Sequence, residues 1–518
     1  MSLRRRTVIN VVSSWTTLAI SVAVSFFLSP FVVHSLGVTA YGAWALLGSL
    51  IGYMGLVDLG VRGAVTRYVA AFHAAGNHEE ASRITSAGLL FFSLASLAVL
   101  FISGILAIGV DRIFEIPLDL VSETRVAILI IGLALAISIT AGVFGGVIVA
   151  LHRFDYLNAI EIAVTVIRAG ATVYALHDGG GLVALAAIQL LTGLARAIVH
   201  ARLAFRLYPR LRLRLDGVRV LVPKIVSFGL ISTILNLSNA VTTYSDSIII
   251  GLFLPLEGIA FFSIASNLIA YAKMLVSGVS QPLAPVVGSL EGSGEIARVG
   301  EVVLAGGRFA TLAVMPVIAT FLTRGDTFIS LWMGEEFAAP AGRVLLILSL
   351  GSWASASFQV LTSAMMGIER HRGMVPAFIA EGLANLLLCV VLVQEFGLAG
   401  IALGILLPRL AISLGFGPAY ARSVLGTRIS AYWWQTLLRP ALAVLPFAAA
   451  SWAIDIGWRP ASLWLYFAQV GAILPLAAVG TWVAGLEREE RRAILSRVAL
   501  RWRRLRYGVL GEGEGSGM

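Results

Sequence analysis

One cysteine, two lysines and few charges of either sign distinguish this 518-residue chain. Cys389 lies in an apolar run, and a lone thiol builds neither a disulfide nor a thiolate metal site. Lysine occurs only at Lys224 and Lys273, so arginine carries almost all of the formal net charge of +10. There is no G-x-x-x-x-G-K-[ST] loop to cradle a nucleotide phosphate, no H-E-x-x-H or paired Cys/His spacing for a metal, and no G-x-S-x-G. Enzymatic chemistry has no visible carrier, and no cofactor or metal is expected. Scattered acidic residues, which membrane glycosyltransferases use, keep that class open. Nucleic acid is not the expected partner, because arginine-rich loops facing anionic lipid account for the basic balance.

Charged residues make up 13% of the chain and hydrophobic ones 58%, with a mean hydropathy of +0.90. Soluble domains carry about 25% charged residues, and a soluble chain this apolar could not cover its surface. Apolar runs of membrane length recur from end to end, each able to cross ~30 Å of hydrocarbon as a helix. β-barrel strands would alternate apolar and polar residues over about ten positions, and these runs do not. The expected fold is an all-α polytopic membrane protein with about 14 transmembrane helices. The spans are 9–33, 41–59, 85–110, 125–150, 156–176, 182–206, 224–253, 258–287, 299–323, 341–367, 374–395, 398–421, 430–454 and 461–485. The first is read as a retained span, because its apolar part outruns a signal-peptide h-region and no A-x-A site follows.

Arginine sets the orientation. With the N-terminus inside, the inside set holds Arg4, Arg5, Arg6, Arg62, Arg67, Arg83, Arg153, the cluster from Arg202 to Lys224, Arg298, Arg308, Arg370, Arg372, Arg422, Arg428 and the tail. The outside set is Arg112, Arg125, Arg324, Arg343 and Arg459. Both termini are therefore expected in the cytoplasm.

Two halves look related. "GLVALAAIQLLTGLA" from Gly181 aligns with "GLAGIALGILLPRLA" from Gly397, 216 residues on, and "LGVTAYGAWALL" from Leu36 with "LPLEGIAFFSIA" from Leu254, 218 residues on. The near-equal offsets carry the argument, since apolar composition alone gives chance matches. The expected organisation is an N-terminal six-helix lobe (1–207), a basic cytoplasmic link (208–223), a C-terminal six-helix lobe (224–425), two extra helices (426–485) and a basic amphipathic helix with a disordered tail (486–518). Leu495, Val498, Trp502 and Leu505 form one helical stripe opposite arginines, which suits a helix lying on anionic lipid. Transporters place substrate between such repeats.

Ionisable groups at membrane depth are the functional signal, because a charge in hydrocarbon costs roughly 2.5–3.5 kcal/mol. They are Asp58, Arg62 and Arg67 in the second span, Glu161 and Arg168 in the fifth, Asp246 in the seventh and Lys273 in the eighth. Glu381 lies in the eleventh, with Arg196 and Arg409 in the sixth and twelfth. Glu161 and Arg168 are two turns apart on one face, and Asp58 and Arg62 are placed to pair. Plainer readings stand beside these: Asp58–Arg62 as a packing pair, Arg67 snorkelling to the interface, Arg196 structural, Arg439 an anchor. Basic groups outnumber acidic ones, which points to an anion, and arginine's planar fork suits phosphate. Asp246 and Asp58 are candidates for ion coupling.

The stretch "LGVTAYGAWALLGSLIGYMGLVDLGVRGAVTRYVA" resembles the N-terminal signature of polysaccharide flippases of the multidrug/oligosaccharidyl-lipid/polysaccharide flippase superfamily. The matching elements are Leu36-Gly37, Tyr41-Gly42, Trp44, Asp58-Leu59-Gly60, Arg62 and Thr66-Arg67-Tyr68, and "YSDSIIIG" around Asp246 resembles the start of the family's second half. The resemblance implies two six-helix lobes around a central cavity. It also implies movement of a polyprenyl-diphosphate-linked oligosaccharide across the cytoplasmic membrane by alternating access. Arg62, Arg67, Arg168, Lys273 and Arg409 are the expected substrate contacts, with Asp58, Glu161 and Asp246 as coupling or structural carboxylates. The second half departs from symmetry: Val276 and Ser280 stand opposite Asp58 and Arg62. Polysaccharide polymerase and glycosyltransferases are candidate partners. The alternatives are an ion-coupled multidrug antiporter of the same fold, a peptidoglycan-precursor flippase and a membrane glycosyltransferase or polymerase.

Overall fold

The structure, a computed structural model, describes residues 3–58, 60–214, 216, 218–492, 495 and 496. Among them there is no strand. The helices are α1 (Leu3–Leu36), α2 (Val38–Met54), α3 (Val61–Ala74), α4 (His78–Ile113), α5 (Leu118–Ala150), α6 (Phe154–His177), α7 (Leu182–Leu207), α8 (Val218–Phe253) and α9 (Leu256–Ser280). They continue as α10 (Leu283–Gly292), α11 (Ile296–Met333), α12 (Glu335–Gly367), α13 (Val375–Leu410), α14 (Gly417–Leu425), α15 (Ile429–Trp433), α16 (Arg439–Gly457) and α17 (Leu463–Gly480).

Twelve helical stretches among the described residues are long and apolar enough to cross a membrane. The difference from the expected count arises at two places. The 55-residue stretch His371–Leu425 contains two of the predicted spans, and its backbone reverses at Gly397 (φ 56°, ψ −132°), a conformation that favours glycine. A Cβ on Gly404 would meet Cys389 at 2.6 Å, so the two arms pack back to back. The predicted span 224–253 lies within the 36-residue α8 (Val218–Phe253), whose described apolar part is Ala240–Phe253.

Exposed apolar stripes show which faces lipid covers. On α4, Leu94, Leu97, Phe101, Ile105 and Ile108 are exposed at spacings of three and four. The opposite face buries Phe92, Ala95, Ser96, Val99, Ser103 and Ala107. Small and hydroxylated residues turned inward let helices approach closely where lipid and leucine are equally apolar.

The chain divides into two compact units. The first comprises Met1–Ser266 and Phe378–Ile405. Its core joins Val61, Val65 and Val69 of α3 to Ile84 and Phe92 of α4 and Val143 and Val147 of α5. The basic link docks on α4: the backbone N–H groups of Arg212 and Arg214 donate to the Ser82 and Ser86 hydroxyls (3.1 and 2.9 Å), and Tyr208 meets His78 Nδ1 at 2.6 Å. Burial pushes the Tyr208 phenol above its ordinary pKa.

The second unit comprises Asn267–Ala377 and Leu406–Met518. Its terminal helices pack Val444 and Phe447 of α16 and Ile473 and Ala477 of α17 on Met315 and Ala319 of α11. Arg324 corrects the sequence reading, which put it in an outside loop. It is fully buried, at a point where α11 departs from helical geometry (φ −144°, ψ 24°). Its guanidinium donates to Asp455 Oδ1 (3.2 Å) and Gln469 Oε1 (2.5 Å) and lies 4.7 Å from the Tyr466 ring. A buried charge is retained because it is paired. At the other end of α11, Arg308 is 2% exposed and pairs with Glu487 (2.6 Å) and with Glu490. Arg439 donates to the Ala484 and Leu486 carbonyls. Leu495 is exposed, while Val498, Trp502 and Leu505 of the predicted amphipathic stripe and the tail beyond lie outside the described residues.

Candidate functional site

The break that interrupts the second apolar run creates the site. After α2 the chain makes a short 3-10 turn, Gly55–Asp58, and re-enters α3 through Gly60 (φ 67°). Arg62 and Arg67 therefore lie on a separate 14-residue helix and not in the second span, which corrects the reading above. Gly60 has no side chain to cap α3. The acceptor comes from Asp58, whose Oδ1 takes the Arg62 backbone N–H (3.2 Å) while Oδ2 lies 3.4 Å from Arg62 Nε.

The valines of α3 enter the core, which turns Arg62 and Thr66, one turn apart, toward Gly142 and Gly146 of α5. A Cβ on Gly142 would lie 2.7 Å from Arg62 Nη2, so the glycine lets the guanidinium rest directly on the α5 backbone. The Thr66 hydroxyl lies 3.0 Å from the Arg62 carbonyl and 3.3 Å from that of Gly146.

Beside this contact is a cavity of about 320 Å³, contained within the first unit. Its polar lining is Arg62, Thr66, Ser138, Glu161, Arg196 and His200. Arg196 lies 3.4 Å from both Glu161 Oε2 and the Ser138 hydroxyl. Arg168, two turns from Glu161, donates to Thr192 Oγ1 (3.4 Å) and feels the charges of both Arg196 and Glu161. The cluster thus sets three arginines (Arg62, Arg168, Arg196) against two carboxylates (Asp58, Glu161). The Glu161 side chain is 42% exposed and that of Arg62 49%. A partly exposed charge such as Glu161 on a helix of membrane length calls for water or a polar ligand, not hydrocarbon.

The structure brings together only some of the predicted site residues. Arg67 is exposed on another face of α3, Lys273 is exposed on α9, and Arg409 lies beside Gly351 of α12. None of the three lines this cavity. Arg196, read from sequence as structural, does line it, and His200 was not singled out at all. The signal available was their i,i+4 spacing on α7, which puts both on one face with Gly193 nearby.

Asp246 belongs to a second polar cluster of the first unit. It is 7% exposed on α8, beside Ser245, whose hydroxyl meets that of Tyr53 on α2. Gly52 lets α2 pack under the Tyr244 ring, where a Cβ would sit at 2.4 Å. Glu381, Asn385 and Cys389 follow at i, i+4 and i+8 on α13, all buried, and the charge of Asp246 reaches Cys389. No group of His, Cys, Asp and Glu able to hold a metal occurs among the described residues.

Membrane-length helices with charged groups gathered in an internal cleft define a multi-pass membrane protein of the transporter class. Comparison with known proteins agrees. Residues 10–291 match the family described as "Polysaccharide biosynthesis protein", and the chain belongs to that family. It is 22% identical over 377 residues to a Shigella flexneri protein named "Putative O-antigen transporter", covering 72% of this chain and 88% of that one. It is also 22% identical over 458 residues to the "Uncharacterized membrane protein EpsK" of Bacillus subtilis (strain 168), covering 86% of this chain and 88% of the relative. The fold resembles that of the lipid II flippase MurJ in an inward closed conformation (TM-score 0.73, 12% identity, 92% of this chain and 98% of that one). It also resembles an inward-facing multidrug resistance MATE family transporter (TM-score 0.65, 16% identity, 80% and 98%).

Proposed function

We propose that the protein is a flippase. It moves a polyprenyl-diphosphate-linked oligosaccharide from one leaflet of the cytoplasmic membrane to the other by alternating access, for surface polysaccharide synthesis. The observation that carries this reading is the cavity lined by Arg62 and Arg196, with Arg168 close enough to Arg196 to feel its charge. A diphosphate headgroup supplies the negative charge that such a cluster needs, through the bidentate contacts that arginine makes. Family membership and the Shigella relative support the substrate class. The fold alone does not choose, since flippases and drug transporters share it; an excess of arginine would repel cationic drugs.

In this reading Arg67, Lys273 and Arg409 are further contacts along the route of the headgroup. The two six-helix lobes, 1–207 and 224–425, rock about it. Both termini and the basic link face the cytoplasm. The reading is supported by the arginine asymmetry, which grows once the buried Arg324 leaves the outside set. Asp246, in its buried polar cluster, couples transport to a proton or sodium gradient. Anionic lipids hold the C-terminal segment, polymerase and glycosyltransferases act before and after the flip, and the protein makes and breaks no covalent bond.

The test is a deletion strain. Accumulation of polyprenyl-diphosphate glycan on the cytoplasmic face, relieved by the wild-type gene, is expected. Accumulation of a peptidoglycan precursor, or drug sensitivity with normal surface polysaccharide, would replace this reading with one of its rivals.

A further inference from the structure

Two arginines that line the cavity, Arg62 and Arg196, each make one long contact with a carboxylate. Arg196 is 3.4 Å from Glu161, and Arg62 is 3.4 Å from Asp58. Charge-assisted contacts of full strength are roughly 2.7–2.9 Å long. The two pairs differ in their anchoring. Asp58 also accepts the α3 backbone N–H, so it is fixed where the helix starts. Among the described residues Glu161 has no backbone anchor of this kind; its hydrogen bond runs to Arg196 on the neighbouring helix, and it is the more exposed carboxylate.

The cavity is also small. At about 320 Å³ it falls at the low end of roughly 300–1,000 Å³ for small-molecule sites. It suits a headgroup of diphosphate size and not a whole glycan. A diphosphate entering it meets Arg196 on the side that Glu161 now occupies. Phosphate oxygens take a guanidinium bidentately, whereas the present pair is a single long contact.

We propose that Glu161 is a displaceable counter-ion for the headgroup. It holds Arg196 in the empty cavity, yields it to the diphosphate, and takes it back when the diphosphate leaves. This rests on the diphosphate reading above and makes Glu161 a positioning residue that acts through Arg196. Glu161 lowers affinity on purpose: an arginine left without a counter-ion would bind the anion tightly and release it slowly. Arg62, whose partner Asp58 is fixed at the start of α3, is the constant part of the site, and Arg196 the part that exchanges.

The experiment uses the full-length protein in nanodiscs, with geranylgeranyl diphosphate as the probe and the monophosphate as control. Glu161→Gln is expected to bind the diphosphate about fivefold more tightly, the effect of one partly exposed pair worth about 1 kcal/mol. It should also transport more slowly in a complementation assay. Arg196→Gln should bind at least about tenfold more weakly, and the double variant should behave as Arg196→Gln alone, with no gain from the Glu161 change. Glu161→Asp should recover transport. A merely structural Glu161 predicts weaker binding together with slower transport and a lower melting temperature. That result, or unchanged affinity in Glu161→Gln while Arg62→Gln still weakens binding, overturns the counter-ion role and leaves the flippase reading intact. Wild-type protein that ignores the diphosphate would overturn both.

Discussion

The Thr39 hydroxyl donates a 2.5 Å hydrogen bond to the Glu257 carboxylate, and the two residues are 218 positions apart. That is the offset at which "LGVTAYGAWALL" aligns with "LPLEGIAFFSIA". Thr39 starts α2 and Glu257 starts α9, and Gly42 permits the approach, since a Cβ there would collide with the Leu256 carbonyl. Under the alternating-access mechanism proposed above, this contact is a latch that the transport cycle opens.

Cysteines at Thr39 and Glu257, in a Cys389→Ala background, are therefore expected to form a disulfide under mild oxidation. Transport should stop when the bond forms and return on reduction. Crosslinked protein that still transports at the uncrosslinked rate would show that these helix ends need not part.

Arg62→Gln removes a charge-assisted contact worth about 1.5–3 kcal/mol, so headgroup binding should weaken at least about tenfold. Arg62→Lys should recover only part of this, because an ammonium cannot make the bidentate contact. Surface polysaccharide normalised to membrane protein level is the readout. Asp58→Ala should give a different result: loss of the α3 cap costs about 1 kcal/mol of stability and shows as a lower melting temperature.

Arg324→Gln is expected to destabilise the folded protein, by about 3–5 kcal/mol, because it strips Asp455 of its buried partner. The double change Arg324→Gln/Asp455→Asn should recover part of the loss. Arg112 and Arg459, which are exposed, should tolerate glutamine. Thermal unfolding in detergent, followed for all four proteins, separates these outcomes; a wild-type melting curve for Arg324→Gln would refute the buried-pair argument.

Topology is checked by fusions. Alkaline phosphatase inserted at Gly180, in the α6–α7 turn, should be active, and fluorescent protein at Arg210 or at the C-terminus should fluoresce. An active phosphatase at Arg210 would reverse the orientation.

Asp246→Asn should abolish stimulation of transport by an imposed proton or sodium gradient in vesicles while leaving headgroup binding in place. Stimulation that survives the substitution would assign Asp246 a structural role.

Much of this molecule was legible in its sequence. Hydrocarbon thickness fixes the length of a spanning helix, so apolar runs and their interruptions gave the membrane class and the approximate spans; the turn at Gly55–Asp58 that sets α3 apart came from the structure. The family resemblance rested on residues of that same break. Which residues meet was decided by tertiary structure alone. Arg324 read as a loop residue because a hydropathy window ends at a charge; only the Asp455 and Gln469 side chains, 131 and 145 positions later, make its burial possible. Arg196 and His200 entered the cavity, and Arg67, Lys273 and Arg409 did not line it, because lipid and neighbouring helix are equally apolar solvents. An apolar helix carries no polar face to mark its orientation, so the rotation that aims each arginine is set by close packing against residues such as Gly142, which no periodicity in the sequence reveals.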